Sequence, residues 1–220
     1  MDKLGYKVVV FDLDGTLIDS LPDLTAALNR SLARHLAGPI ERSDVAPMVG
    51  DGAKILLQKG YAACGMVPSA DDEATFLADY EAHVTDLTES YAGIPQALVA
   101  LTEAGYRLGL CTNKPEVSAR KVLAALDLDQ FFSVVIGGDA TPYRKPDPRH
   151  LAAVLEAMDV GKLSAVMVGD HANDMATAAG LGVKAIFVTW GYGRQANAVN
   201  RVDDPQALPF AVARVFEQDI

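Results

Sequence analysis

The chain has 220 residues, 50% of them hydrophobic, and a formal net charge of −10 at pH 7, so it is long enough for one domain or one domain with an insert. No apolar run nears the ~18 residues of a membrane helix, nothing resembles a secretory leader, and two distant cysteines, Cys64 and Cys111, argue against a disulfide framework or a CxxC zinc site. The acidic balance speaks against a nucleic-acid surface and leaves a soluble cytoplasmic protein in which any anionic ligand needs a local positive site.

The first element in chain order is Val8–Phe11, an apolar run expected to be a buried strand. Asp12 and Asp14 follow at once, and burying neighbouring negative charges is costly unless something offsets them. Residues 17–89 then read as helices alone: Leu21–Leu36, about Gly52–Ala63, and Asp71 to about Thr88. Ser20 is the expected N-cap of the first, with Pro22 and Asp23 in its first turn. Pro39, Gly50-Asp51-Gly52 and Pro68-Ser69 punctuate the helices.

Four further apolar segments resemble the first: RLGLC (107–111), SVVIG (133–137), AVMVG (165–169) and AIFVT (185–189). Helical spacing falls at Gln96–Ala104, Val117–Ala125, Pro148–Met158 and Asp174–Ala179. This alternation predicts βαβ units and a parallel sheet covered on both faces, a doubly wound, Rossmann-like α/β core. The core is expected from residues 1–16 and 90–220, with a small all-helical insert, residues 17–89, after the first strand.

Ligands of open α/β sheets bind beyond the carboxyl ends of the strands. The first predicted strand delivers Asp12 and Asp14 there, and the second delivers Thr112 and Asn113, then Lys114-Pro115. The loop after the third carries Lys145, and the fourth ends in Gly169-Asp170, with Asp174 four residues on. Such carboxylates suit a divalent cation held through oxygens, while the lysine and hydroxyl hold an anion. Residues i and i+2 of an extended segment share a side, so Asp12 and Asp14 face one site. Gly15 permits a sharp turn and is expected to bring its N–H close to an anion. One ionised carboxylate can attack phosphorus to give an aspartyl phosphate, and the other can give and later take a proton. Two such roles need environments that separate the two pKa values. Mg²⁺ and Lys145 are the groups expected to do so.

The motifs DLDGT (12–16), Thr112, Lys145 and GDHAND (169–174), in this order and each after the right strand, resemble the haloacid dehalogenase superfamily of phosphohydrolases over the whole chain. The resemblance implies that Asp12 is the nucleophile and Asp14 the acid/base. It implies a Mg²⁺ held by Asp12, the backbone carbonyl of Asp14 and Asp170, with Asp174 supporting the metal site. Thr112 and Lys145, with Gly15 and Asn113, form the implied phosphate-binding set. The insert matches the superfamily's cap, which closes over the core and excludes water. Asp14 favours phosphatase over dehalogenase, since similar dehalogenating members lack a carboxylate there.

A narrower resemblance, to bacterial phosphoglycolate phosphatases, rests on FDLDGTLIDSLPDL, VGDGA, TNKPE, KPDP and VTWGYG. It implies a small phosphorylated metabolite as partner, 2-phosphoglycolate first. Gly50, Asp51, Gly52 and Lys54 are then candidates for the substrate's far end, Gly52 offering backbone N–H groups to a carboxylate and Lys54 a charge. Plainer readings stand beside these. Gly50-Asp51-Gly52 also reads as a tight turn, Lys54 as a solvated helix residue, and Asp174 as a helix cap. His171 departs from the small hydroxyl residues common in relatives and either faces the metal or points away. Cys64 and Cys111 are most simply core residues, and Trp190 and Tyr192 belong to the sheet edge or to the rim of the site.

Rival functions share this chemistry. They are a phosphatase of the same fold for a sugar phosphate, nucleotide or pyrophosphate, a phosphomutase, and, from another class, a receiver-like phospho-aspartate switch. The Asp-x-Asp pair and the large insert speak against the switch. Monomer and homodimer both stay open.

Overall fold

The computed structural model describes residues 6–194 and 199–217. Strand β1 (Val8–Phe11) and a two-residue strand β2 (Ile18–Asp19) lead into helices α1 (Leu21–Ala33), α2 (Arg42–Val45), α3 (Ala53–Ala63) and α4 (Ala70–Ala82). Strand β3 (Glu89–Ser90) brings the chain back, and α5 (Ile94–Glu103), β4 (Arg107–Cys111), α6 (Glu116–Ala125), β5 (Phe132–Ile136) and α7 (Pro148–Ala157) follow. Then come β6 (Ala165–Gly169), α8 (Ala172–Leu181), β7 (Lys184–Val188), β8 (Arg201–Val202) and α9 (Leu208–Glu217).

The main sheet is parallel with strand order β5-β4-β1-β6-β7-β8, so the winding reverses at β1, as a doubly wound fold requires. Phe11 is in register with Leu110 on one side and Val168 on the other, so the three strands end level and their next residues meet in one crevice. All four residues of β1 are fully buried. Val8 and Val10 join Leu151, Val154 and Ala178 of α7 and α8, while Val9 and Phe11 join Leu98, Leu101, Val122 and Val212 on the other face. That two-sided burial is why the strand is a continuous apolar run. Truncating Phe11 to Ala would cost about 3–5 kcal/mol.

Helices α1, α3 and α4 bury Leu24, Leu28, Leu57, Tyr61, Phe76 and Tyr80 in a cluster continuous with Leu13 and Leu17 beneath them. The stretch 17–89 is not helical throughout. It contains β2 and the first residue of β3, paired antiparallel as Ile18↔Ser90 and Asp19↔Glu89, a ribbon where the insert joins the rest of the chain. The helix expected to run to Thr88 stops at Ala82. Beyond it Asp23 accepts hydrogen bonds from Leu87 N (3.0 Å), Thr88 N (2.9 Å) and Thr88 Oγ1 (2.7 Å), and this buried carboxylate turns the chain toward β3. The first helix ends at Ala33, before Leu36 enters the left-handed region at φ +57°. Cys111 is buried as expected, whereas Cys64 is exposed at the end of α3. Among the described residues no helix is long and apolar enough to cross a membrane.

Candidate active site

Asp12 extends the β1 ladder by donating its N–H to Val168 O at 2.9 Å. The chain then turns through Gly15 at φ +85°, where a Cβ would lie 2.5 Å from Asp170 Oδ2, so only glycine fits. The Gly15 N–H is not free for an anion, contrary to the expectation. It donates to Ile18 O at 2.9 Å, and Gly15 serves the site through its conformation and missing side chain.

Three carboxylates meet at the ends of β1 and β6. Asp12, Asp170 and Asp174 each offer an oxygen within 4.8 Å of the others, and all three are buried. Lys145 lies among them, with Nζ 2.7 Å from Asp12 Oδ1 and 2.5 Å from Asp174 Oδ1. Thr16 Oγ1 donates to Asp170 Oδ1 at 3.1 Å, and the N–H groups of Tyr192 and Gly193 donate to Oδ2 at 2.8 and 3.1 Å. Burial, reinforced by the neighbouring carboxylates, pushes Asp12 up to about 6 against the pull of Lys145. Burial and the charge of Asp12 push Asp170 up to about 6 as well. Asp174 is raised by burial too, and burial of Lys145 is outweighed by Asp12 and Asp174, which hold it protonated.

With all three ionised, three negative charges face one ammonium, and two remain uncompensated in a buried site. Oxygen donors short of two positive charges fit a hard divalent cation. Asp12, Asp170 and Asp174 are the side chains placed to hold it. The Asp14 carboxylate stands outside this group.

Asp14 has its own environment. Its Oδ1 accepts Ser20 Oγ at 2.6 Å and Lys114 Nζ at 2.9 Å, and the lysine side chain is 1% exposed. Lys114 also bonds to the hydroxyl of Tyr80, which reaches over from α4. Ser20 does precede α1, but its hydroxyl serves Asp14 instead of capping the helix. The two aspartates therefore point to one cleft while each is paired with a different lysine. Asp12, Asp14, Thr112, Lys114, Tyr80 and Leu24 are among the residues lining that cleft, which opens to solvent. The buried Thr112 hydroxyl accepts Lys114 N at 3.2 Å, which leaves its own proton for a ligand.

Asn113 lines the cleft, but its side chain is committed elsewhere. Nδ2 donates to Gly50 O and Lys145 O at 2.9 and 3.0 Å, and Oδ1 accepts Lys145 N at 3.0 Å. Instead of binding phosphate through its amide, it fixes the backbone that carries Lys145. Gly50 and Gly52 line the cleft. Asp51 turns aside to Lys59 Nζ (2.7 Å) and Asn173 Nδ2 (2.8 Å), and those bonds outweigh burial and lower its pKa. It ties the turn before α3 to α8. Lys54 is half exposed, 3.6 Å from Glu73, and lines a neighbouring groove. It is not in the cleft with Asp12.

His171 caps α8 with Asp174: His171 N donates to Asp174 Oδ2 at 3.0 Å, and Nδ1 accepts Asn173 N at 3.3 Å. Its ring lies against Gly50, while Asp174 both caps α8 and accepts Lys145 Nζ. Tyr192 OH donates to Asp19 Oδ1 at 2.7 Å and accepts from Ser20 N, and Trp190 Nε1 donates to Thr16 O at 3.0 Å. Both aromatic residues thus brace the turn after β1. From the sequence Lys114, Tyr80 and Thr16 have no role of their own, Ser20 has only that of a helix cap, and Tyr192 only a place at the sheet edge or the rim of the site. For Lys114 and Thr16 a signal existed, since each sits beside a strand-end motif; for Tyr80 there was none.

The haloacid dehalogenase-like hydrolase family model matches residues 9–188. The chain is 44% identical to the phosphoglycolate phosphatase of Rhodospirillum rubrum over 197 residues, covering 86% of this chain and 82% of that protein. It is 40% identical to the phosphoglycolate phosphatase of Caulobacter vibrioides, covering 87% and 83%. A crystal structure of a predicted phosphoglycolate phosphatase from Haemophilus somnus superposes with a TM-score of 0.84 at 26% identity, over 92% of this chain and 96% of that one.

Proposed function

Because the chain belongs to the haloacid dehalogenase-like hydrolase family, we propose that it hydrolyses 2-phosphoglycolate to glycolate and phosphate through an aspartyl phosphate on Asp12. The class of reaction, phosphoric monoester hydrolysis, follows from relatives at up to 44% identity. The observation that carries the mechanism is the division of the two cleft carboxylates between two lysines, Lys145 on Asp12 and Lys114 on Asp14. It gives two neighbouring aspartates separate environments, as two separate roles require.

In the first step an Asp12 oxygen attacks phosphorus, the bond to the glycolate oxygen breaks, and Asp14 gives that oxygen a proton. Lys145 holds the attacking carboxylate and meets the incoming phosphate with positive charge, and Thr112 donates its hydroxyl to a phosphate oxygen. In the second step Asp14 takes a proton from water, the water oxygen bonds to phosphorus, and the bond to Asp12 breaks. A divalent cation, which we assign as Mg²⁺ on Asp12, Asp170 and Asp174, supplies the charge that lets dianionic phosphate approach a carboxylate. Helices α1–α4 act as a cap that closes the cleft and keeps bulk water from the phosphoenzyme.

The substrate assignment is supported by the relatives' activity, and Leu24, Val49 and Leu56 stand among the residues lining the cleft. A panel of phosphate esters with saturating Mg²⁺ tests it. The expected result is the highest kcat/KM for 2-phosphoglycolate, and a sugar phosphate, nucleotide or pyrophosphate ranking clearly above it would replace the assignment. A receiver-like switch leaves the buried Lys114–Asp14 pair and the helical insert without a role.

A further inference from the structure

The insert contributes a side chain to the surroundings of Asp14. Tyr80 is 2% exposed, its ring stacks on Phe76 at 6.2 Å with 7° between planes, and its hydroxyl is bonded to Lys114 Nζ. That ammonium sits 4.8 Å from the centre of the Tyr80 ring and donates to Asp14 Oδ1 at 2.9 Å. Ser20 Oγ donates to the same Oδ1 at 2.6 Å. With both donors on Oδ1, Oδ2 is the oxygen left to move a proton in the cleft.

A lysine stem has many rotamers, and holding its head in one place costs entropy unless fixed partners define it. Ser20 and Asp14 belong to the turn after β1, and Lys114 follows β4. Tyr80 alone comes from α4, across the cleft. We propose that Tyr80 is a positioning residue for the acid/base, fixing Asp14 through Lys114 when the insert lies against the sheet. This rests on the phosphatase reading above.

The test reads proton donation apart from folding and binding. Ethyl, 2-chloroethyl and 2,2,2-trifluoroethyl phosphates have leaving groups of similar reach but rising acidity, so the need for a proton on the departing oxygen falls along the series. In Tyr80→Phe, which keeps the stacked ring, kcat/KM is expected to drop about tenfold for the ethyl ester and under about twofold for the trifluoroethyl ester, part of the 10²–10⁴ that general acid catalysis supplies. Lys114→Met is expected to steepen the same dependence, and adding Tyr80→Phe to it should change little, since the two act as one unit. Parallel losses on all three esters, or losses that add in the double variant, would mean that Tyr80 only packs or touches substrate, and would overturn the inference. A parent enzyme that hydrolysed neither these esters nor 2-phosphoglycolate with Mg²⁺ would overturn the phosphatase reading itself. Turnover by the parent with an unchanged dependence in Tyr80→Phe would overturn this inference alone.

Discussion

Lys145 Nζ lies 2.7 Å from Asp12 Oδ1, and both side chains are buried. That contact supplies the positive charge an acidic chain must find for an anionic substrate. Among the described residues Lys145 is the ammonium set between these carboxylates, since the same Nζ is 2.5 Å from Asp174.

Replacing Lys145 by Met therefore leaves buried carboxylates without their counter-charge. Breaking a buried pair in this way costs about 3–5 kcal/mol. Chemical denaturation of metal-free protein should show that loss at pH 8 and a smaller one at pH 5, where the raised carboxyls take up protons. An equal loss at both pH values would contradict the electrostatic account.

Metal binding should carry its own pH signature. Asp12 and Asp170 are pushed up to about 6 by burial, above the ~3.9 of an unfolded aspartate. Between those values the folded protein binds more protons than the unfolded chain, so their contribution to stability falls as pH rises from about 4 to about 6 and stays lost above that. A divalent cation offsets the repulsion of the ionised forms. The increase in Tm on adding Mg²⁺ is expected to be larger at pH 8 than at pH 5, and scanning fluorimetry with and without chelator checks it.

The insert has the opposite titration. Asp72 closes a capping box with Ser69 at the start of α4 and lies 2.8 Å from His35 Nε2. Hydrogen bonds from Ser69 and His35 hold its carboxyl well below the usual range. A depressed carboxyl stabilises above its unfolded pKa and loses that contribution as pH falls below about 4. The stability gap between wild type and Asp72→Asn should thus be open at pH 7 and close in acid. At the same cap, Ser69→Ala should cost about 1 kcal/mol.

Lys54 is the sequence candidate that the structure moves out of the cleft. Lys54→Ala is expected to leave kcat/KM for 2-phosphoglycolate within about twofold, the effect of a surface charge. A large rise in KM would return Lys54 to the substrate.

How much of this was legible follows physical lines. Strands β1, β4 and β6 were visible because burial on both faces writes itself as an apolar run, and Asp12 and Asp170 because those runs end in carboxylates, whereas the two-residue β8 is too short to leave a signal. Local spacing also placed Asp174, which both caps α8 and bonds Lys145. What was hidden depends on partners far along the chain. Asp23 is the first-turn residue of α1 that the sequence suggests, but its bonds from Leu87 and Thr88, which end the stretch expected to be helical, come from far along the chain. Lys114 looked like a loop lysine before a proline, and its role emerges only where Tyr80 and Asp14 converge on it. Asn113 reads in the sequence as a phosphate ligand, whereas its amide bonds to the backbone of Gly50 and Lys145.

The central claim, attack by Asp12, is tested most directly by acid quenching during turnover of 2-phosphoglycolate with Mg²⁺, followed by peptide mapping. Asp14→Asn, which lacks both the acid of the first step and the base of the second, should accumulate the phosphoryl enzyme on the trifluoroethyl ester, whose departing oxygen needs a proton least. The account predicts a phosphoryl group on Asp12, and no turnover in Asp12→Asn with its fold intact. A phosphoryl group on another carboxylate, or substantial hydrolysis by Asp12→Asn, would contradict it.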